Sequence, residues 1–85
     1  MTATPLTIAS AIEREIARRG TIQARAAEAM GIEPSKLTRW IVDGAEPDGE
    51  SLASLATYLG LRSVYDLGPL LVATKLARAA RRGRL

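Results

Sequence analysis

The stretch QARAAEAMGIEPSKLTRWIV, residues 23–42, determines the fold that the sequence predicts. Its first half has an apolar stripe of Ala24, Ala27 and Met30, which indicates a short helix. Gly31 ends that helix, because glycine adopts the positive φ that a sharp turn requires. The second half carries another helical pattern. Two short helices joined by a tight turn that contains glycine are typical of a helix-turn-helix.

The second helix begins at Pro34, because proline fits a first helical position, where its missing N–H has no partner. At about 100° per residue, one face is apolar and is predicted to face the core. The opposite face, flanked by Lys36 and Thr38, carries short hydroxyls, cations and one valine. This set suits a DNA major groove, since cations donate to guanine, hydroxyls bond base edges or phosphates, and an apolar group contacts a thymine methyl. The inner residues are Leu37, Trp40 and Ile41, with Ile32 in the turn, and the outer residues are Ser35, Arg39 and Val42.

Residues 21–61 resemble the DNA-binding domain of the lambda repressor and Cro superfamily, also called the XRE-type helix-turn-helix proteins. After Pro47, the segment LASLATYLGL at residues 52–61 resembles the fourth helix of that family. Two positions depart from the family pattern: Ala26 stands where a larger aliphatic residue is usual, and Glu33 where a Ser or Thr cap is usual. The matching positions are Gln23 at the opening of the first helix, Ala27 at the close helix contact, Gly31 and Ile32 in the turn, Leu37 and Trp40 on the core side, and Gly44 after the recognition helix.

The resemblance implies an all-α fold, a compact bundle of five to six short helices around the central helix-turn-helix. It also implies a sequence-specific regulator of transcription, most simply a Cro-like repressor of a phage or prophage. Gln23 would hold a phosphate at the start of its helix, where free N–H groups bind anions. Two protomers would place their recognition helices about 34 Å apart on a near-palindromic operator in double-stranded DNA. The predicted DNA-binding residues are Gln23, Arg25, Ser35, Lys36, Thr38 and Arg39.

The composition of the 85 residues also favours one small helical domain, since Ala and Leu dominate the apolar residues and Phe is absent. With no Cys and no His, the sequence lacks disulfides, the common zinc ligands and the commonest general base. Because no nucleophile–base pair or Gly-rich phosphate loop occurs, we expect neither an enzyme nor a cofactor or metal site. Without Cys, a signal-peptide pattern or a membrane-span length of apolar residues, we expect an intracellular protein, and the resemblance implies the bacterial cytoplasm.

Capping residues and glycines place the remaining helices. Thr7 is the predicted cap of a first helix that ends at Arg19 before Gly20, and the charged residues of this helix are expected to form a solvated face. Ser63 starts a short helical turn, and its spacing to Asp66 is that of a capping box. The remaining predicted elements are Thr21 as the cap of the central pair, Asp48 as the cap of a helix over 50–59, and a last helix over 69–82.

The last helix has more apolar residues than one face holds. Since a surface helix usually has a single apolar stripe, the surplus indicates contact beyond its own domain. A homodimer interface is the favoured interpretation. The alternatives are that the helix closes its own core, or that it lies on a membrane, although the Trp or Phe common on such helices is missing. The chain therefore divides into a helix-turn-helix DNA-binding domain at 1–67 and a C-terminal helix with a basic tail, a candidate dimerisation element, at 68–85. The apolar residues concerned are Leu70, Leu71, Val72 and Leu76.

The charge of the chain is distributed unevenly. The last eleven residues carry five basic residues and no acidic one, a charge of +5, whereas the other seven basic and nine acidic residues give −2. A basic tail on a near-neutral domain favours a polyanionic partner. The alternative is a solvated helix end, whose cations complement the helix dipole without any partner. The tail residues are Lys75, Arg78, Arg81, Arg82 and Arg84.

A second hypothesis treats the helix-turn-helix as a scaffold for protein interaction, as in an antitoxin or a phage accessory factor. Glu33 and Asp43 support it, because they place carboxylates at the border of the outward face of the second helix. The two acids also suggest a simpler role for two of the predicted DNA contacts, namely an ion pair within the protein. Arg39 lies four residues from Asp43, and Lys36 lies three residues from Glu33.

Overall fold

The computed structural model describes residues 6–82, and helices are the only regular elements in that range. This confirms the predicted all-α bundle of short helices. The bounds are α1 Ile8–Arg19, α2 Gln23–Met30, α3 Pro34–Val42, α4 Gly49–Tyr58, a 3₁₀ turn Val64–Leu67, and α5 Gly68–Arg82.

Local signals set most of the helix ends. The side chains of Thr7 and Asp48 accept hydrogen bonds from first-turn N–H groups of α1 and α4, as predicted. Gly31 ends α2 in the left-handed conformation at φ 68°, which leaves only three residues before α3 begins. The predicted cap Thr21 was wrong, because the extended residue before α2 is Ile22 and no side chain caps this helix.

The core collects the inner faces of the helices. In α2 the buried residues are Ala26, Ala27 and Met30, whereas Ala24 is exposed, contrary to the predicted stripe. Ala24 lies about a third of a turn from the centre of that buried face at 100° per residue. The small side chain of Ala26 is 1 % exposed. The largest fully buried side chains of the core are Ile8, Ile12, Leu37, Leu55 and Leu67.

Helix α5 packs against α1 and the 3₁₀ turn. At this contact the backbone N–H of Ile8 donates to the Thr74 hydroxyl at 3.0 Å. Leu70 and Leu71 are partly buried against the core, as in the alternative in which this helix closes its own core. Val72 and Leu76 remain 57 % and 64 % exposed. The predicted apolar surplus therefore has two parts, one that closes the core and one that faces outward.

The sequence predicted that the charged residues of α1 form a solvated face, but three of these residues make contacts within the fold. Arg18 and Arg19 both donate to the Glu15 carboxylate, whose side chain is only 12 % exposed. Arg19 also donates to the backbone carbonyl of Tyr58, and its guanidinium lies 4.0 Å from the centre of that ring. Hydrogen bonds from the two arginines lower the pKa of Glu15 from 4.5 to about 2. These contacts connect the end of α1 to the end of α4.

Candidate nucleic-acid interface

Helix α3 is anchored to the core by its inner face. Leu37 is fully buried and Trp40 is 3 % exposed, which confirms that the indole is a core residue. Ile32, in the turn before α3, is half-buried and packs against the same core. The start of α3 relies on Pro34, since Glu33 makes no capping hydrogen bond through its side chain. The rotation of α3 about its axis is therefore set mainly by packing.

The outward face of α3 consists of Ser35, Thr38, Arg39 and Val42, all exposed, and we call it the reading face. Val42, the last residue of α3, is an apolar side chain that is 62 % exposed. Arg39 takes part in none of the ion pairs between residues 6 and 82, and the suggested pair with Asp43 is not formed. The reading face thus offers the Ser35 hydroxyl, one guanidinium and one apolar group to solvent.

Two of the predicted contact residues bind each other. The Gln23 Nε2 donates to Thr38 Oγ1 at 2.9 Å, and Thr38 Oγ1 donates to the carbonyl of Pro34 at 3.0 Å. The Thr38 hydroxyl proton is therefore used within the helix. This link joins the first turn of α2 to α3, so it fixes Gln23 beside the reading face.

The other two predicted cations are partnered by carboxylates. Lys36 Nζ lies 3.2 Å from Asp48 Oδ2, so the suggested pair of Lys36 with Glu33 was wrong. Arg25 lies 4.0 Å from Glu28 in an exposed i,i+3 pair. Exposed pairs of this kind contribute little, about 0–1 kcal/mol. Both cations therefore remain able to exchange their partner for another anion.

The acidic loop, residues 43–48, follows α3 and lies beside the reading face. Asp48 accepts from the backbone N–H of Ser51 through Oδ1 and from Lys36 through Oδ2, and these bonds lower its pKa from 3.8 to about 2. Glu46 and Asp48 line a hollow of about 140 Å³ together with Lys36 and Arg39. Sequence reasoning noted Asp48 only as a cap and attached no role to Glu46.

Three cations of α5 lie on the other side of this loop. Lys75 Nζ lies 3.8 Å from Glu46 Oε1. The Arg81 guanidinium lies beside Gly44, since a Cβ atom added to this glycine would be 3.8 Å from Arg81 Nη2. Arg78 and Arg81 line a small cleft with Trp40 and with other residues near the end of α3. We call Lys75, Arg78 and Arg81 the basic edge. Of the other predicted tail residues, Arg82 ends α5 but its side chain lies outside the described residues, as does Arg84.

Val72 and Leu76 lie one turn apart on the outward side of α5, and we call them the apolar ridge. Tyr65, seven residues before Val72, is 88 % exposed. Sequence reasoning did not single out Tyr65, because nothing in its local pattern tells whether a tyrosine in a short helical turn is buried. An apolar ridge and an exposed aromatic residue are features of surfaces that bind partners.

A groove of about 510 Å³ lies between α1, the end of α4 and the start of α5. Its floor is mainly aliphatic, and its charged residues are Arg14, Arg18, Glu15 and Asp66, two of each sign. Arg18 is already paired with Glu15. Within residues 6–82, no group of three or more Asp and Glu side chains is placed to hold a metal ion.

None of the helices between residues 6 and 82 has the length and apolar character needed to cross a bilayer.

Comparisons of the chain with protein-family models, curated proteins and solved structures give no match. The fold and the surface therefore define a small all-α protein with a helix-turn-helix pair, and the resemblance to the lambda repressor and Cro superfamily stays a prediction from its residues.

Proposed function

We propose that this protein is a sequence-specific double-stranded DNA-binding regulator of transcription that occupies operator sites like a Cro-type repressor in a bacterial cytoplasm. The observation that carries this proposal is the reading face of α3. Leu37 and Trp40 fix the helix from behind, while Arg39 stands exposed and without an ion pair among residues 6–82. A helix of this kind fits the major groove, which admits one α-helix.

Each group on the reading face has a role in this proposal. Arg39 donates two hydrogen bonds to O6 and N7 of a guanine, and Val42 contacts a thymine methyl. The Ser35 hydroxyl binds a base edge or a phosphate. Thr38 acts indirectly, since its hydroxyl holds the Gln23 amide at the start of α2. Gln23 then donates its remaining N–H to a backbone phosphate near the helix N-terminus.

Phosphate contacts supply most of the affinity in this scheme, because neutralising phosphates releases counterions. Lys36 of α3 and Arg25 of α2 form exposed ion pairs that are weak enough to exchange for phosphates. The basic edge of α5 adds cations near the end of α3, with Lys75 reaching the acidic loop. A bound duplex that extends past the C-terminal end of α3 would meet these side chains.

We also propose that two copies pair through the apolar ridge. Val72 and Leu76 are exposed at one-turn spacing, and helical pairs of this kind pack against each other in dimers. A two-fold dimer would present two reading faces to half-sites about 34 Å apart. Lys75 borders the ridge, since it lies three residues after Val72, whereas Arg78 and Arg81 line the cleft near the end of α3. Pairing through the ridge would therefore leave Arg78 and Arg81 accessible.

The test is selection of bound sites from random duplex, followed by titration of the selected duplex at several salt concentrations. We expect a near-palindromic site and an association constant that falls with log slope of roughly −0.9 for each neutralised phosphate. Failure to bind any duplex at low salt would overturn the proposed function.

A second candidate is a protein-interaction module, which the apolar ridge, exposed Tyr65 and the acidic loop favour. In that case α3 serves as scaffold and the partner covers α5. The salt titration separates the two functions, because an interaction module gives no salt-dependent duplex binding. Substitution of Arg39 would also leave capture of the partner unchanged.

A further inference from the structure

The apolar ridge is the centre of a longer apolar face on α5. Ala73 and Thr74 are buried on the core side of this helix, and the residues on the opposite side are all exposed. At a rise of about 1.5 Å per residue, this exposed face extends about 17 Å along the helix. A surface helix usually turns charged and polar residues to solvent, so an apolar face of this length suits packing against another helix. Its members are Pro69, Val72, Leu76, Ala79 and Ala80.

The side chains of this face change in size along the helix. Pro69 and Val72 lie in its first half, whereas Ala79 and Ala80 in its second half carry only a methyl group. Two copies paired in parallel would place alanines against alanines and leave a gap, although interfaces pack about as densely as protein interiors. An antiparallel pair places the larger side chains of one copy against the alanines of its partner, so the contact is filled along its whole length.

The charges of α5 are also distributed unevenly along the helix. Residues 68–74 carry no charged side chain, whereas the basic edge lies in the second half. A parallel pair brings the two basic edges together, and repulsion between like charges opposes it. In an antiparallel pair, each basic edge lies beside the uncharged half of the partner helix, which follows the exposed Asp66. Lys75 borders the apolar face near its centre, and Glu46 at 3.8 Å offsets its charge.

We propose that two copies of the protein pair through α5 in antiparallel orientation, with Val72 of one copy against the partner's Leu76. This inference rests on the proposed pairing through the apolar ridge and adds its direction and register. The two-fold axis passes beside Thr74, because residues 72 and 76 are equally far from position 74. The same register places Pro69 against the partner's Ala79, and the two Ala79 residues lie about 15 Å apart along the helices.

The experiment measures disulfide formation between two copies, since the chain has no cysteine of its own. Pro69→Cys and Ala79→Cys leave the apolar ridge intact, and they are oxidised separately and as an equimolar mixture. A second mixture, Val72→Cys with Leu76→Cys, tests the same register without changing the start of α5. The control for random collisions is Ala53→Cys, at an exposed position of α4. Sedimentation equilibrium of the wild type sets a concentration at which dimers form, and circular dichroism verifies the fold of each variant.

We expect each mixture to form its mixed disulfide at least about tenfold faster than Ala53→Cys links to itself, because the register brings the paired Cα atoms within the disulfide range of about 4–7 Å. Ala79→Cys alone should link no faster than the control. Fast linkage of Ala79→Cys to itself would indicate a parallel pair and overturn the orientation, while leaving pairing through the ridge intact. A monomeric wild type, or mixtures that link no faster than the control, would overturn the pairing as well. The DNA-binding function is tested separately, by titration of the selected duplex.

Discussion

Helices α3 and α5 each turn one face to the core and one to solvent, but their outward faces differ in chemistry. The face of α3 carries Ser35, Arg39 and the single apolar residue Val42, whereas α5 exposes Val72 and Leu76 beside a row of cations. The first set suits hydrogen bonding to a polar groove, and the second suits an apolar partner together with phosphates. Two exposed helices in one small protein thus favour two different partners.

The two helices also differ in how firmly they are placed. Helix α3 inserts Leu37 and Trp40 deep into the core, with 0 % and 3 % exposure. The first half of α5 is held by Leu70, which packs against the core, and by the hydrogen bond from Ile8 to Thr74, whereas residues 75–81 are exposed. A surface that reads bases requires a rigid helix, whereas a pairing surface tolerates adjustment on binding.

The largest effect is expected at the inner face of α3. Trp40→Ala should lower the free energy of unfolding by about 3–5 kcal/mol, because it removes a buried aromatic side chain and leaves a cavity. In a domain of this size such a loss is a large part of the total stability. Urea denaturation with far-UV circular dichroism measures it. Arg39→Ala, on the opposite face of the same helix, should change stability by no more than about 0.5 kcal/mol.

A smaller but more specific effect is expected at the reading face. Arg39→Ala should cost about 1–3 kcal/mol of affinity for the selected duplex and relax the preference at one base position. Titrations on the selected site and on its single-base variants measure this. Arg14→Ala, which removes the same charge from an exposed position of α1, is the matched control. An equal loss on all sequences would mean that Arg39 contacts a phosphate rather than a base.

The difference between α3 and α5 also explains what the sequence could predict. Caps and breakers are local signals, so Asp48, Gly31 and Pro34 placed helix ends correctly. The inner face of α3 was correct because Leu37 and Trp40 are large apolar residues on one side of a short helix. In α2 the predicted apolar stripe included Ala24 instead of the buried Ala26, because alanine occurs both in cores and on surfaces and so does not show which face is buried.

The contacts around the site could not be predicted from the sequence pattern. Lys36 and Asp48 are 12 positions apart, and Arg19 and the Tyr58 carbonyl are 39 apart, so neither pairing follows from a helical period. The division of the apolar surplus on α5 depended on where α1 and the 3₁₀ turn pack, which is a tertiary fact. The link between Glu15 and Arg19 was the exception, because i,i+4 spacing could have indicated it.

The next prediction tests whether the outward face of α5, unlike that of α3, binds a second copy of the protein through the apolar ridge. Leu76→Lys should convert a dimer into a monomer, because it places a cation in an apolar interface. Its effect on the unfolding of the monomer should stay within about 0.5 kcal/mol, since Leu76 is 64 % exposed. Sedimentation equilibrium measures the association, with Ala53→Lys on an exposed position of α4 as the control for added charge. A monomeric wild type at high concentration would remove the dimer proposal.

The last prediction concerns the charged contacts between α1 and α4. Because the pKa of Glu15 falls from 4.5 in its ordinary state to about 2 in the fold, its ionised form stabilises the folded state. That contribution is fully present above about pH 4.5 and is lost as the pH falls toward 2. Glu15→Gln should therefore lower stability at pH 7 and flatten the decline on acidification, as measured by urea denaturation between pH 7 and pH 2.5.

Asp48 titrates in an overlapping range, since its pKa falls from 3.8 to about 2, so Glu15→Gln alone should leave a residual dependence on pH. Adding Asp48→Asn should remove much of that remainder, because the amide keeps the helix cap but no longer ionises. A decline in Glu15→Gln as steep as in the wild type would show that the arginines do not stabilise the Glu15 carboxylate in solution. The contact of Arg19 with the Tyr58 carbonyl and ring would then be the interaction that joins α1 to α4.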